Sequence, residues 1–596
     1  MATFDYGSGR FGARLLAGQR TRFALWAPDA QSVELELPER NARLPMHRDA
    51  RGWFSVEAPC GAGTPYLYSV DGAPGIPDPA SRRQAGGVHG PSLVVDPTGY
   101  QWRNGAWKGR PWHEAVLYEL HVGLLDGYRG VEAQLAELAE LGVTAIELMP
   151  LAEFPGARNW GYDGVQPYAP ESAYGTPDEL KHLIDTAHGI GLMVFLDVVY
   201  NHFGPDGNYL GRFAKPFFRH DLQTDWGDAI DLRQREVRDF FIENALMWLL
   251  EYRFDGLRLD AVHAITERSF LTELAERVHG AVGPGRHVHL VLENYKNEAS
   301  LLGEGGYTAQ WNDDGHHVLH VLLTGEHQGY YGHYREDTAE KLALCLSEGF
   351  VYQGQPSDDG PPRGEPSAHL PPDAFVLFLQ NHDQIGNRAF GERLISLAEP
   401  NALRAATALL LLSPMVPLLF MGEEWGTHRP FLYFTSHEDE GLASAVREGR
   451  RREFKDFEPF KDLSLCERIP DPNAESTFLT SKPDYRARLD PQHAEWRAYY
   501  RHLLALRRRE IVPRLPGTRS QGSVVLGPAA VQAHWQLGDG MILRIELNLG
   551  LEAVPVHAHW HHGRLLFASQ DMENFHEHQG SLPPRMARIY LVAQDE

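Results

Sequence analysis

The chain has 596 residues, of which 43% are hydrophobic and 11% are aromatic. This is enough for one large domain with one or two smaller ones, and it argues against global disorder. The formal charge of -24, from 80 acidic and 56 basic residues, argues against nucleic acid or an anionic membrane as the main partner, because both need basic surfaces. A neutral ligand such as a sugar is compatible with this charge.

Cysteine usage and the start of the chain favour a cytoplasmic protein. The three cysteines, Cys60, Cys345 and Cys466, are far apart and form no CxxC pair. We therefore expect neither a disulfide nor a metal site from them, and the low, odd count suits a reducing cytosol. Residues 1–6 lack the basic region and apolar core of a signal peptide. No uncharged run approaches the roughly 20 residues that span a bilayer.

We predict a small β-sandwich domain over residues 1–107. Segments 21–27 and 32–37 alternate apolar and polar residues, as strands with one buried face do. Gly, Pro and Asp separate these short segments, which is typical of a sandwich. The Pro- and Gly-rich stretch 74–97 has the composition of a linker.

From residue 108 to 511 the pattern changes to that of parallel βα units, in which strand-like apolar runs alternate with helical periodicity. Helical periodicity covers, among other segments, 131–141, 177–188, 234–252 and 267–279. Eight βα repeats close a (β/α)8 TIM barrel of the α/β class, with its active site at the carboxyl ends of the strands. The predicted strands are 116–122, 145–151, 193–200, 256–262, 289–295, 309–314, 375–383 and 417–424.

Three predicted loops are long, and long loops on this face of a barrel usually shape substrate pockets. They cover 203–231, 315–373 and 426–490. Within the second, segment 356–366 is so rich in Pro and Gly that it looks disordered. Residues 512–596 return to short alternating runs, so we predict a small C-terminal β-domain there.

Three acids, Asp260, Glu293 and Asp383, each close an apolar run that has the character of a buried strand. Burying carboxylates at strand ends is costly unless chemistry needs them there. Three carboxylates at the mouth of a barrel indicate glycosidic bond cleavage, which uses a carboxylate pair.

The neighbours of the three acids predict separate roles for them. Arg258 lies two residues before Asp260 on the same strand face, and a neighbouring guanidinium keeps a carboxylate ionised, as a nucleophile must be. The apolar run before Glu293 raises its pKa, which suits a proton donor. Asp383 lies in a dense polar group with His382 that suits sugar hydroxyls. Each acid also has a structural alternative. Asp260 could form a structural ion pair with Arg258, Glu293 could be a surface or cap residue, and Asp383 could cap a turn.

Polar and aromatic residues follow two further strands of the predicted barrel. Asp197, Asn201 and His202 end strand three, where the histidine is either structural or a contact to a sugar hydroxyl. Tyr162 follows strand two and either stacks on an apolar sugar face or packs under a loop.

In this ordered set of motifs the chain resembles the alpha-amylase superfamily, glycoside hydrolase family 13. The motifs are 197–202, 256–260, Glu293 after its apolar strand, and 381–383. The resemblance covers roughly residues 110 to 510 and implies a retaining mechanism. Asp260 would be the nucleophile, Glu293 the acid/base, and Asp383 the residue that binds the ring hydroxyls. The subsite of the attacked glucose would be lined by Arg258, His202, His382 and Tyr162.

Further segments are similar to superfamily members that hydrolyse the α-1,4 bond next to a terminal trehalose unit. These segments are 118–123, 160–164, 201–205, 311–314, 323–326 and 380–387. The implied substrates are maltooligosyltrehalose and related α-glucans. The residues implied in contacts with substrate and its trehalose end are His263, Asp313, Asp314, His317 and Glu424.

The resemblance implies no cofactor, and we expect no required metal. Many relatives bind calcium beside a long insertion after strand three, and Asn201 occupies a position that they use for it. Here that insertion is short and has no obvious cluster of the oxygen ligands that calcium prefers. Two other functions stay open, namely a glycogen branching or debranching enzyme and a non-catalytic carbohydrate-binding protein, although the latter normally lacks one of the acids.

Overall fold

The computed structural model describes residues 10–224, 227–357, 360–455, 463–556, 563–570 and 580–593. It contains an N-terminal sandwich, a closed eight-stranded parallel barrel and a C-terminal antiparallel sheet, which confirms the predicted fold class. The expectation drawn from residues 1–6 lies outside the described residues. In the described part of the chain, every helix is too short or too polar to pass through a bilayer.

The N-terminal sandwich has two four-stranded antiparallel sheets. Its strands alternate buried and more exposed side chains, as in Val33–Leu37, because each sheet buries only one face. The first sheet has the order Arg14–Leu16, Arg20–Trp26, Trp53–Ala58 and His47–Arg48, and the second has the order Ala42–Pro45, Val33–Leu37, Pro65–Val70 and Ser92–Leu93.

All eight predicted barrel strands are present and each pairs in parallel with its two neighbours. Apolar side chains from these strands, such as Leu117, Phe195 and Leu418, fill the interior, so the barrel is a packed core with its site at one end. The strands are β1 (Leu117–Leu120), β2 (Ala145–Leu148), β3 (Met193–Val198), β4 (Gly256–Leu259), β5 (His289–Leu292), β6 (Ala309–Trp311), β7 (Phe375–Leu377) and β8 (Val416–Phe420).

Helices cover the four segments named above for their helical periodicity, and further helices lie elsewhere in the described part of the chain. Pro177–Gly189 begins with a capping box in which the side chains of Thr176 and Glu179 bond each other's backbone N–H groups. The other helices are Tyr128–Glu132, Leu135–Leu141, Arg235–Leu246, Met247–Glu251, Arg268–Val282, Asp313–Thr324, Thr338–Glu348, His382–Gly386, Leu394–Leu397, Pro400–Leu412, Glu440–Phe454, Leu463–Glu467, Glu475–Ser481 and Pro491–Leu506.

The long segment after β6 is more ordered than the sequence suggests. It contains two helices and a hairpin of strands Gln353–Ser357 and Gly360–Gly364, so the described part of 356–366 is not disordered. Tertiary contacts explain the difference, because the Arg363 guanidinium lies 3.7 Å from the Tyr295 ring centroid. The segment after β3 contains a second hairpin, Phe218–Thr224 with Gly227–Ile230.

The C-terminal region is a five-stranded antiparallel sheet with a separate short strand pair. A helical segment ends at Arg514, and the first strand begins at Arg519. The predicted domain limits at 107 and 511 stay predictions. The sheet order is Arg519–Gly527, Ala530–Gln536, Ile542–Asn548, Met586–Val592 and Arg564–Ala568, and Val554–Pro555 pairs with Ser581–Leu582.

Candidate active site

The three predicted acids lie at the carboxyl end of the barrel. Asp260 directly follows β4, Glu293 directly follows β5, and Asp383 is in the short helix His382–Gly386 after β7. That helix is capped by Asn381, whose side chain accepts the backbone N–H of Asp383 at 2.9 Å. Asn381, and not Asp383, therefore caps this helix, which argues against the alternative that Asp383 serves only to cap a turn. The side chain of Asp383 keeps 39% of its surface exposed.

Arg258 connects the acids at the ends of neighbouring strands. Its Nη1 donates to Asp197 Oδ2 at 2.7 Å and to Asp260 Oδ1 at 2.8 Å, and its Nη2 donates to Glu293 Oε2 at 2.9 Å. The guanidinium is fully buried and lies 4.2 Å from the Trp311 ring centroid. A planar fork of donors suits this role, because it holds all three carboxylates in fixed directions at once.

Asp260 is held in its ionised form. Burial alone would raise the pKa of this carboxyl, but the positive charge of Arg258, the neighbouring His202 and hydrogen bonds reverse the effect and lower it. One of these bonds comes from Asn201 Nδ2, which donates to Asp260 Oδ2 at 2.9 Å. An ionised and oriented carboxylate can act as a nucleophile.

Glu293 has the opposite electrostatic setting. Burial raises its pKa well above the usual range; Arg258 opposes this, but the negative charges of Asp260, Asp383 and Asp313 add to it. A protonated carboxyl at neutral pH can serve as a proton donor.

The backbone after Asp260 helps to orient Glu293. Ala261 has a φ of 40°, in the left-handed region that non-glycine residues seldom adopt. In this conformation its backbone N–H donates to Glu293 Oε2 at 2.8 Å. Strain of this kind persists only where surrounding contacts enforce it, and it is frequent at active sites.

Tyr162 and His382 form one wall beside the acids. Their rings stack with centroids 5.2 Å apart. The Tyr162 hydroxyl donates to Asp197 Oδ2 at 2.6 Å and lies 2.8 Å from His382 Nε2. His202 lies behind this wall, with Nε2 2.9 Å from the backbone oxygen of Tyr162 and Nδ1 against the side chain of Asn201. The predicted subsite residues Arg258, His202, His382 and Tyr162 are thus connected by contacts.

Of the residues predicted after β6 to contact substrate, Asp313 and His317 stay candidates, whereas the position of Asp314 argues against such a contact. Asp313 is half-buried, and burial together with the charges of Asp314 and Asp383 raises its pKa to about 7. His317 is itself buried, and its ring lies 5.0 Å from that of Tyr330, which is 48% exposed. Asp314 instead is buried, and its carboxylate accepts hydrogen bonds from Asn297 Nδ2, the Val351 N–H and Arg363 Nη2. This position argues against the predicted direct contact between Asp314 and sugar.

Glu424 also lies away from the acids. It is buried, and both of its oxygens accept from the Tyr118 hydroxyl, at 3.2 and 3.1 Å. Tyr118 alternates with the inward residues Leu117 and Glu119, so its side chain leaves the outer face of the barrel. The predicted sugar contact of Glu424 therefore has no support from its position.

His263 occupies an intermediate position near the site. Its ring is half-buried, and its Nδ1 accepts the backbone N–H of Tyr295 at 3.4 Å, just beyond Glu293. Burial lowers its pKa. A contact between His263 and substrate stays a prediction.

Sequence reasoning missed two buried acids within the strands themselves. Glu119 of β1 contacts His382, and Glu147 of β2 lies between the charges of Glu119 and Asp197. Each acid stands inside an apolar run with its side chain toward the barrel interior. This position in an apolar strand could have identified both acids from the sequence, because a buried carboxylate needs either a hydrogen-bonding partner or a proton.

A metal site stays without support in the described ranges. No group of three or more His, Cys, Asp or Glu side chains in them is arranged to hold a metal ion. The amide nitrogen of Asn201 donates to the backbone oxygen and to the side chain of Asp260.

Three family models match parts of the chain. They are the alpha amylase catalytic domain at residues 121–226, the carbohydrate-binding module 48 (isoamylase N-terminal domain) at residues 10–97, and a domain of unknown function (DUF3459) at residues 518–589. The last two fall on the N-terminal sandwich and the C-terminal sheet.

Solved structures share this fold. A crystal structure from Salmonella typhimurium, solved as a candidate alpha amylase, superposes with a TM-score of 0.91 at 43% identity and covers 98% of this chain and 99% of that one. A pullulanase from Paenibacillus barengoltzii superposes with a TM-score of 0.71 at 20% identity, over 98% and 95% of the two chains. That likeness concerns the fold alone.

Curated relatives are more specific. A malto-oligosyltrehalose trehalohydrolase from Deinococcus radiodurans is 44% identical over 84% of both chains, and one from Saccharolobus solfataricus is 38% identical over 82% of this chain and 85% of that protein. A 1,4-alpha-glucan branching enzyme from Nocardia farcinica is 29% identical over 72% and 62%. The chain therefore belongs to the malto-oligosyltrehalose trehalohydrolase family within the alpha-amylase superfamily.

Proposed function

We propose that the protein hydrolyses the α-1,4 glucosidic bond next to the terminal trehalose of maltooligosyltrehalose and releases trehalose and a maltooligosaccharide. The names and identities of the trehalohydrolase relatives support the substrate. The observation that carries the chemistry is the fork of Arg258, which holds Asp260 and Glu293 on its two nitrogen ends.

In the proposed mechanism Glu293 protonates the glycosidic oxygen while Asp260 attacks the anomeric carbon and forms a covalent glycosyl-enzyme. The raised pKa of Glu293 and the lowered pKa of Asp260 support this division of roles. Glu293, now ionised, takes a proton from water, which displaces Asp260 and leaves the anomeric configuration retained. Two carboxyls in this mechanism lie about 5–5.5 Å apart.

Asp383 and the wall of Tyr162 and His382 are proposed to bind the attacked glucose. Aromatic rings stack on apolar sugar faces, and the partly exposed carboxylate of Asp383 can accept bonds from ring hydroxyls. Asp313, His317 and His263 are proposed to contact substrate, with Asp313 and His317 at its trehalose end.

We also propose a cytoplasmic location, which the low cysteine count supports.

The catalytic roles are tested with Asp260→Ala and Glu293→Gln. We expect each variant to keep the fold and to lose roughly 1,000-fold or more in kcat. Proton NMR of the first products should show the α anomer for the wild type. Near-normal turnover by Asp260→Ala, or inverted products, would contradict the proposed mechanism.

The substrate is tested by product analysis on trehalose-capped and uncapped maltooligosaccharides of equal length, side by side. We expect trehalose from the capped chains and much slower cleavage of the uncapped ones. The branching or debranching alternative predicts altered iodine staining of a glucan without trehalose release. A protein that binds these chains and cleaves none of them would instead be a carbohydrate-binding protein.

A conservative variant tests the proposed trehalose subsite. Asp313→Asn should raise KM for capped chains and change KM for uncapped chains much less, because only capped chains present trehalose to this position. Equal changes for both substrates would remove Asp313 from the trehalose subsite.

A further inference from the structure

His382 has both of its ring nitrogens engaged inside the barrel end. Its Nδ1 contacts Glu119 Oε1, and its backbone N–H donates to Glu119 Oε2 at 3.1 Å. Both oxygens of Glu119 are thus directed at one residue, and Glu119 and His382 are each only 1% exposed. Two buried groups in this arrangement form a pair that water cannot screen well.

The hydrogen-bond network defines which atoms donate. Burial raises the pKa of Asp197 to about 6, so above this pH its carboxylate can only accept, and its Oδ2 already accepts from Arg258 Nη1 at 2.7 Å. The single proton of the Tyr162 hydroxyl therefore goes to Asp197 Oδ2 at 2.6 Å. The lone pair of the phenol oxygen therefore faces His382 Nε2 at 2.8 Å, and that nitrogen must donate. Nδ1 must donate as well, since its partner is the Glu119 carboxylate. With two donating nitrogens, the ring is an imidazolium.

The surrounding charges agree with this assignment. Burial alone would lower the His382 pKa, but the carboxylates of Glu119 and Asp383 outweigh it and raise the pKa to about 9, against a smaller opposing effect of Arg258. The titratable and charged groups around His382 are Glu119, His121, Glu147, Tyr162, Asp197, Arg258 and Asp383.

We propose that Glu119 is a positioning residue that keeps His382 an imidazolium, so that this side chain donates from the wall of the site. As a donor, Nε2 holds Tyr162 in its orientation toward Asp197, and it places a positive charge 3.5 Å from Asp383 Oδ1. A neutral ring with its lone pair on Nε2 would repel both oxygens. The kinetic consequence of this inference, though not the protonation state itself, depends on the proposed hydrolysis.

The test is the isosteric variant Glu119→Gln, which keeps the shape and removes the charge. The His382 pKa should fall, because its largest raising cause is lost, and the imidazolium exists only below that pKa. In the proposed mechanism the alkaline limb of kcat/KM follows whichever of protonated Glu293 and imidazolium His382 loses its proton at the lower pH. We expect Glu119→Gln to make His382 that group and to move the limb to lower pH, since loss of a close opposite charge lowers a pKa by roughly 1–3 units. Glu119→Asp, which restores the charge, should move the limb back toward the wild-type position.

Glu147→Gln is the matched control. Glu147 lies on the adjacent strand, it is equally buried, and neither of its oxygens has a hydrogen-bond partner among the described residues. Burial and the charges of Glu119 and Asp197 raise its pKa well above the usual range, against the opposing charges of Arg258 and His382, which favours its neutral form. We therefore expect this substitution to leave the alkaline limb in place.

A second readout does not depend on activity. Proton NMR of the nitrogen-labelled protein should show a far-downfield N–H signal that is absent from His382→Asn, and at pH 8 this signal should be lost in Glu119→Gln but kept in Glu147→Gln. Thermal melts confirm that each variant is folded. The proposal is overturned if the signal persists at pH 8 in folded Glu119→Gln as it does in the wild type. Absence of any glucan hydrolysis by the wild type would sink the proposed function alone.

Discussion

Replacement of Arg258 by lysine is the sharpest probe of the active site, because it keeps the positive charge and removes the fork. Arg258 Nη1 donates to Asp197 Oδ2 at 2.7 Å and to Asp260 Oδ1 at 2.8 Å, and Nη2 donates to Glu293 Oε2 at 2.9 Å. A lysine ammonium is a single point of charge and cannot hold carboxylates on two separate nitrogens. We therefore expect Arg258→Lys to lose the orientation of at least one of the two carboxyls proposed to be catalytic.

The size of the effect follows from the bonds that are lost. A hydrogen bond to a charged group contributes about 1.5–3 kcal/mol. Loss of one such bond in the transition state corresponds to a decrease of roughly 10- to 150-fold in kcat/KM. The pKa of Asp260 should rise where the lysine no longer makes the hydrogen bond that Arg258 donates to Asp260 Oδ1, because that bond is one of the effects that oppose burial there while the positive charge is retained. An acid with a higher pKa is ionised only at higher pH, so the acidic limb of the profile should move upward.

The assay is trehalose release from a capped maltooligosaccharide across the pH range, with Arg393→Lys as the control. Arg393 is also fully buried, but it donates to the backbone oxygens of Arg429 and Met421, away from the acids. The control should lower the melting temperature and leave the pH profile unchanged. Wild-type kcat/KM in Arg258→Lys, or an equal shift of the acidic limb in both variants, would refute the reasoning.

Three further substitutions test other parts of the structure. Burial raises the Asp78 pKa to about 6, so the contribution of this carboxyl to the free energy of unfolding falls as pH rises from about 4 to 6. Asp78→Asn should reduce this loss by about 2–3 kcal/mol in urea titrations at several pH values. An unchanged dependence of the free energy of unfolding on pH would count against this prediction. Thr176→Ala removes a capping box with Glu179 and should lower the free energy of unfolding by about 1 kcal/mol. A Cβ on Gly386 would lie 2.0 Å from the Trp160 ring, so Gly386→Ala should cost about 1–3 kcal/mol and lower activity, whereas unchanged melting would show that Trp160 moves aside.

The barrel and its three acids were predictable because their signals are local. Asp260 and Glu293 each follow four buried residues of a strand, and parallel strands bring their carboxyl ends to one rim. The opposite pKa shifts were also predictable in direction, since an arginine two residues before Asp260 and an apolar run before Glu293 are both visible in the sequence.

The positions of Asp314 and Glu424 were not predictable, because they depend on contacts with segments that are distant in the sequence. Both follow barrel strands just as Asp260 does. However, Asp314 binds Arg363 from a distant hairpin, and Glu424 binds an outward tyrosine of β1. Sequence spacing says that a residue is near the rim, but only the packing of distant segments decides whether it faces substrate or protein. Glu119 was missed for the related reason that its partner is 263 residues away.

The division of roles proposed for Asp260 and Glu293 cannot come from Arg258, because both carboxyls touch it. The remaining neighbours make the difference. Asp260 also receives the amide of Asn201, which stabilises its ionised form. Glu293 receives one backbone N–H and otherwise faces negative charges, including that of Asp383, which favour its protonated form. A single guanidinium thus fixes the geometry of both groups, while the neighbours that they do not share separate their pKa values, as acid–base catalysis at one site requires.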